Sequence, residues 1–183
     1  MAKGSSFERY IAKYLSKWLT GSEKPYQYWR MPGSGGLATI SEENVDLSGD
    51  IRSLTQQAAF LTDIFSIELK VGYPKTSFWQ LFANIKHFNI EEFWVQCYTD
   101  ANKADKRPML IYNKSNRRKI VGIDLVTENK IFKYISKLPS MSIRFKNDEH
   151  PTLVFYDFED FFNNITPEIV KRKFNYGQSE CNC

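Results

Sequence analysis

The chain is short of the residues that most often carry chemistry. Its 183 residues include only two histidines, His87 and His150, and three cysteines, Cys97, Cys181 and Cys183. So few imidazoles argue against a histidine-built metal centre. The cysteines lack both the paired spacing of a zinc site and the even count of a disulfide framework. No apolar run approaches the roughly 18 residues of a membrane-spanning helix. The opening "MAKGSSFERYIAKYL" carries charge through its apolar stretch and has no small-residue cleavage site, so it does not read as a secretory signal. These absences point to a reducing, cytoplasmic setting. Repeats, low-complexity tracts and long linkers are missing too, so a single domain is expected over residues 1–183.

Net charge is only +4, but it is unevenly spread. Residues 102–146 hold twelve Lys and Arg against Asp105, Asp124 and Glu128. Residues 41–63 hold five acids, Glu42, Glu43, Asp46, Asp50 and Asp63, against Arg52 alone. A basic half beside a compact acidic block suits a protein that holds a polyanion and sets a cation against it. Solvated faces of mixed charge account for the same pattern.

The local patterns alternate between helix and strand. Phe7, Ile11, Tyr14, Leu15, Trp18 and Leu19 fall at helical spacing, with Gly21 as a stop. The loop after "YQYWR" lacks the Gly-Lys-Ser/Thr ending of a phosphate-binding P-loop and reads as a turn. "SGDIRS" reads as a strand or turn, and "KTSFWQLFANIKHF" as a helix. "EFWVQCY", "RPMLIY" and "KIVGIDLV" read as strands, and "ENKIFKYISKL" as a helix. "TLVFYDFEDFFNNI" reads as a strand handing over to a helix capped by Asp157. The class is therefore α/β. A catalytic core over 1–125 and an α/β extension over 126–183 are expected, the extension as a further helix-strand-helix layer. Aromatics make up 15% of the chain and are mostly core by spacing; Tyr26, Tyr28 and Trp29 also suit base stacking or a dimer surface.

One segment poses a chemical question. From 65 to 70 the chain alternates strictly, Phe65, Ile67 and Leu69 on one face and Ser66, Glu68 and Lys70 on the other. That is the period of a half-buried strand, and it sets Glu68 and Lys70 side by side. With Glu8 and Asp50 they form a set suited to phosphodiester hydrolysis. Carboxylates hold a divalent cation, and a lysine positions or deprotonates the attacking water or stabilises the transition state. Hard oxygen ligands favour Mg²⁺ or Mn²⁺ over Zn²⁺. Each residue also fits a plainer role. Ser5-x-x-Glu8 has the spacing of a capping box, Asp50 suits a turn after Gly49, and Glu68 with Lys70 suits a surface ion pair worth about 0–1 kcal/mol.

Taken in order, these residues resemble a known group. Gly49–Asp50 followed by Glu68-Leu69-Lys70 resembles the PD-(D/E)XK nuclease superfamily. The narrower set of Lys3, Gly4, Ser5, Glu8, Arg9, Arg30, Ser34 and Gly35 resembles the archaeal-type Holliday junction resolvases and their viral relatives, over residues 3–111. The resemblance implies a restriction-endonuclease-like fold with a mixed central sheet flanked by helices. It implies that Asp50, Glu68 and the Leu69 carbonyl bind a first Mg²⁺ or Mn²⁺, that Glu8 helps hold a second ion or its water, and that Lys70 serves the attacking water. Arg9, Arg30 and Ser34 become DNA contacts. Branched or double-stranded DNA becomes the substrate, and a homodimer follows if the junction is cut symmetrically. Gly49 stands where the family motif has proline. The stretch between Asp50 and Glu68 is long for the hairpin strands expected, which makes Asp63 a competing ligand. Superfamily members often set a glutamine on the helix after the Glu-X-Lys strand. Gln80 fits that role, with Asn84 and His87 on the same face, although Ser77-x-x-Gln80 is also a capping box. Two basic loops suit phosphate contacts through Lys103, Lys106, Arg107, Arg117, Arg118 and Lys119, and the ordinary polarity of surface loops accounts for them equally.

Overall fold

The computed structural model describes residues 3–31, 48–82, 89–145 and 150–177. Helix α1 (Lys3–Thr20) leads into strands β1 (Tyr28–Arg30) and β2 (Ile51–Ser53). Helix α2 (Gln56–Ile64) follows, then β3 (Phe65–Gly72), a single 3-10 turn (Phe78–Leu81) and α3 (Asn89–Lys103). Strands β4 (Arg107–Lys114) and β5 (Ile120–Asp124) precede α4 (Leu125–Ile135). The chain then runs through β6 (Ser140–Ile143), β7 (Leu153–Asp157), α5 (Phe158–Asn164) and α6 (Pro167–Lys173). Five strands form the central sheet in the order β3-β4-β5-β7-β6, while β1 and β2 make a separate antiparallel pair. Only β3 and β4 run parallel; the other neighbours are antiparallel. The mixed α/β sheet flanked by helices is the architecture expected.

Each face of the sheet carries its own apolar layer. Phe65, Ile67 and Leu69 of β3 join Met109, Ile111, Val121 and Ile123 in a core closed by α1, α2, α4, α5 and α6. On the other face Leu110, Tyr112 and Phe155 pack against Ile90, Phe93, Trp94 and Cys97 of α3. The first helix forms because Phe7, Ile11 and Leu15 bury one stripe. It stops at Gly21, whose φ of +78° lets its amide donate back to the Lys17 carbonyl at 2.7 Å. Asp157 caps α5 as expected, accepting from the amides of Glu159 and Asp160.

Four expectations change. "EFWVQCY" lies inside α3, where Ile90, Phe93, Trp94, Cys97 and Ala101 bury a helical stripe. Its run of aromatic and β-branched residues resembles a strand only while the window is short. The helix expected at "KTSFWQLFANIKHF" is one 3-10 turn over Phe78–Leu81; residues 83–88 lie outside the described residues. The hairpin expected to join the Asp and Glu-X-Lys strands is interrupted by α2, so β2 and β3 sit in different sheets. The C-terminal third does not stack on a finished sheet. It completes one, since β7 lies between β5 and β6, and the boundary expected at about 125 falls within that sheet. Among the described residues, no helix is long and apolar enough to cross a membrane.

Candidate active site

Strand β3 is an edge strand, and that position builds the site. Its edge facing away from β4 has backbone groups free to meet Gly49 and Asp50. The Asp50 amide donates to the Ile67 carbonyl at 2.8 Å. The Leu69 amide donates to the Asp50 carboxylate, Oδ2, at 2.8 Å. A residue's amide and carbonyl point to the same side of a strand, so the Leu69 carbonyl also faces this edge. Gly49 makes the approach feasible. Its φ is +83°, and a Cβ there would stand 2.8 and 2.9 Å from the backbone N and O of Ile67. The glycine at the motif's proline position is thus what lets Asp50 reach β3.

Glu8, Asp50, Glu68, Leu69 and Lys70 line one cleft of about 360 Å³, with Gly4, Val71, Tyr73 and Gln96. The face carrying Ser66, Glu68 and Lys70 turns toward α3, and Ser66 and Glu68 are 1% and 8% exposed. Lys70 Nζ stands 2.7 Å from Glu68 Oε1, with their side chains 15% and 10% exposed. The pair is therefore an enclosed ion pair and not the exposed kind that contributes little. Burial pushes the Glu68 carboxyl up to about 7, and the neighbouring Asp50 charge adds to the rise while Lys70 opposes it. Lys70 also donates to the side-chain oxygen of Gln96 at 2.8 Å, and its ammonium sits 5.5 Å from the centre of the Phe93 ring.

Gln96 is the site residue that the sequence reading misses. The glutamine sought on the helix after the Glu-X-Lys strand is Gln96, hidden because its helix reads locally as a strand. Gln80 is instead occupied in the capping box, where its side chain accepts from the Ser77 amide at 3.0 Å. Extending the window to residues 89–103 exposes the helical period and would place Gln96 on the face beside the site.

The other candidates separate. Glu8 is held by Arg30, Nη1 to Oε2 at 3.3 Å, and Ser5 lies inside α1, not at its cap. Arg9 turns back along its own helix to the Ser5 carbonyl at 2.9 Å and the Ser5 hydroxyl at 3.1 Å. Asp63 leaves the site: α2 carries it to the far end of β3, where it accepts from the Tyr176 hydroxyl at 2.6 Å. Lys106 and Arg107 also lie at that far end. Arg107 pairs in register with Phe65, five residues before Lys70, and packs on Phe174. Arg117, Arg118 and Lys119 follow the other end of β4, on the side of Lys70 and its register partner Tyr112. Arg118 is engaged by Asp157 and Asp160, and Lys119 by Glu159. Tyr28 is fully buried, while Tyr26 and Trp29 pack on each other at 5.0 Å. Ser34 lies outside the described residues, as do Glu42, Glu43 and Asp46 of the acidic block, and Asn84 and His87.

A divalent cation suits the donors present. Two buried, mutually repelling carboxylates with one lysine paired to Glu68 leave negative charge that a cation would balance. The oxygen donors of Asp50, Glu68 and Leu69 match an ion that binds through one or two carboxylates and keeps several waters, as Mg²⁺ does. Among the described residues, no three His, Cys, Asp or Glu side chains group closely enough to hold an ion by themselves. Glu8 lines the same cleft as Asp50 and Glu68.

No curated protein and no solved structure matches the chain. A family described as "Phage putative PDDEXK endonuclease" matches residues 1–172, from the helix bearing Glu8 through the motif residues and on into the last helix. With the motif residues meeting in one cleft, and the match running nearly the whole length, the chain belongs to this phage PDDEXK endonuclease family.

Proposed function

We propose that the chain is a metal-dependent endodeoxyribonuclease that hydrolyses phosphodiester bonds, with the four-way DNA junction as its foremost substrate. The observation that carries the catalytic part is the meeting of Asp50, just before β2, with Glu68 and Lys70 of β3 in one cleft, across the insertion of α2. Asp50, Glu68 and the Leu69 carbonyl would hold Mg²⁺ or Mn²⁺. That ion would neutralise charge on the phosphoryl oxygens and raise the acidity of water at neutral pH. Lys70, oriented by Glu68 and Gln96, positions the attacking water and stabilises the developing negative charge. Glu8, oriented by Arg30, takes a proton or water on the outer side of the cleft.

The junction substrate rests on the resemblance of the N-terminal residues, from Lys3 to Gly35, to resolvases. Cutting a junction symmetrically requires two sites, so a homodimer in the cytoplasm of the host cell belongs to the same reading. A second reading has one observation in its favour: the family's description names a phage endonuclease and no junction. In that reading the same site cuts other phage or host DNA.

The test incubates the full chain with a labelled four-way junction and a matched linear duplex, each in Mg²⁺, Mn²⁺ or EDTA, beside Lys70→Ala. The expected result is paired, symmetric, metal-dependent nicks in the junction, reduced on the order of 100-fold or more in the variant. Equal cutting of both DNAs would keep the nuclease and discard the junction. Full activity in Lys70→Ala would sink the mechanism, and binding without cleavage in either metal would leave a DNA-binding protein on a nuclease fold.

A further inference from the structure

A second cavity lies beside the active-site cleft and plays no part in the chemistry described so far. It encloses about 390 Å³, between the 3-10 turn and the ends of β4 and β5. That volume is within the range of small-ligand pockets, about 300–1,000 Å³. Its walls are aromatic and its rim is basic, with Phe78, Trp79 and Tyr112 set against Lys114, Arg117 and Arg118.

The pocket is held in shape by its own contacts. Lys114 Nζ donates to the Thr76 carbonyl at 2.6 Å, and Asn89 donates to the Thr76 hydroxyl at 2.8 Å, tying the loop before the turn to β4 and α3. The Ser77–Gln80 capping box fixes the turn itself. Phe78 anchors it inward against Phe155, with ring centres 5.8 Å apart. This anchoring leaves Trp79 and Phe82 each 80% exposed at the mouth, their rings 6.3 Å apart. Two large aromatic faces offered to water beside cations are unusual on a surface without a ligand. Arg118 is spent on Asp157 and Asp160, whereas among the described residues the exposed Arg117 guanidinium makes no ion pair.

The pocket's position links it to the catalytic lysine. Lys70 and Tyr112 are register partners on β3 and β4. The Phe93 ring lies between them, 5.5 Å from Lys70 Nζ and 5.9 Å from the Tyr112 ring centre. The cleft and the pocket also share the loop after β3, with Tyr73 lining the cleft and Thr76 the pocket.

We propose that the cavity between Trp79 and Arg117 receives an unpaired nucleobase of the DNA strand being cut, stacked on Trp79 with its phosphate on Arg117. Base-aromatic stacking with a cation on the backbone is how single-stranded nucleic acid is held without sequence preference. A base paired within a duplex has both faces covered by its neighbours, so the substrate class becomes DNA with an unpaired segment next to the cut: a flap, an overhang or the open centre of a branch. The inference rests on the nuclease reading in taking DNA as the ligand and the cleft at Lys70 as the place of the cut.

The test measures binding by fluorescence anisotropy in EDTA, where metal-dependent cleavage is silent. A labelled duplex with a short unpaired overhang is compared with the blunt duplex, for the natural chain, Trp79→Ala and Trp79→Phe. The natural chain should prefer the overhang on the order of tenfold, the effect of one stacked base. Trp79→Ala should lose that preference with its blunt-duplex affinity and melting temperature unchanged, since the indole is exposed. Trp79→Phe should retain most of the preference. A preference that survives Trp79→Ala, or none in the natural chain, would overturn the proposal. A preference without any cleavage in Mg²⁺ would uphold the pocket and remove the nuclease. Cleavage without a preference would do the reverse.

Discussion

At Glu68 the requirements of stability and of catalysis oppose each other. Its carboxyl is pushed up to about 7 by burial first and by Asp50 second, against the pull of Lys70. The folded pKa lies above the unfolded value, so the neutral form favours folding. That contribution is fully present below about pH 4.5 and is lost as pH rises through 7, to at most about 3 kcal/mol. A cation held by Asp50 and Glu68 would restore it by binding only the folded, ionised site. Added Mg²⁺ should therefore raise the melting temperature clearly at pH 8 and hardly at pH 5.5. Glu68→Gln, neutral at every pH, should melt above the metal-free natural chain at pH 8 and gain nothing from Mg²⁺. Differential scanning fluorimetry across pH reads all of this. An equal Mg²⁺ shift at both pH values, or a full Mg²⁺ shift retained in Glu68→Gln, would show that this carboxylate is not the metal-linked group.

At the scale of the element, the junction of Gly49 with β3 decides whether Asp50 belongs to the site. Two glycines separate the causes. Gly21 and Gly49 share a positive φ, +78° and +83°, but a Cβ at Gly21 meets nothing within 4 Å while one at Gly49 overlaps the Ile67 backbone. Gly21→Ala should therefore cost about 1–2 kcal/mol, the left-handed conformation alone. Gly49→Ala should cost about 2–4 kcal/mol, because backbone must also shift. For a chain of this length that is a fall in melting temperature on the order of 5–15 °C. Cleavage should drop further than stability explains, as Asp50 loses its bond to Leu69. Matched melting curves for the two variants would refute the close-approach account. The same elements show what a sequence can disclose. β3 is legible because its period of two is unbroken and ends in the Glu-Leu-Lys tripeptide, and α1 because one apolar stripe runs its whole length. α3 is not legible, since Phe93, Trp94, Val95 and Tyr98 favour strand locally and only Ile90 and Ala101, at its ends, complete the helical stripe. With α3 goes Gln96. The insertion of α2, which carries Asp63 out of the site, depends on tertiary packing of Ala58, Phe60 and Leu61 that no local spacing announces.

At the scale of the molecule, the segment beyond β6 is structural before it is anything else. Four of the five residues of β7 are buried, and the strand separates β5 from β6. Residues 153–170 contribute nine buried apolar side chains to the two cores. At about 1.5–3 kcal/mol each, their burial is as large as the roughly 5–15 kcal/mol by which a whole domain is stable, even after discounting for a compact unfolded state. The segment also holds the helix that bears Glu8: Trp18 Nε1 donates to the carbonyls of Phe162 and Ile165 at 3.1 and 2.8 Å. Its ring packs on Phe162 at 5.3 Å, and Tyr14 packs on Phe158 at 4.6 Å. A chain ending before Pro151 should therefore lose cooperative unfolding altogether, read as a flat melting curve by circular dichroism, and cleavage with it. If the chain ending before Pro151 stayed cooperative and lost only self-association, the C-terminal third would be an interface that the central sheet does not need. Its place between β5 and β6 argues otherwise, because a sheet that loses an inner strand leaves the ladders of both neighbours unpaired at once.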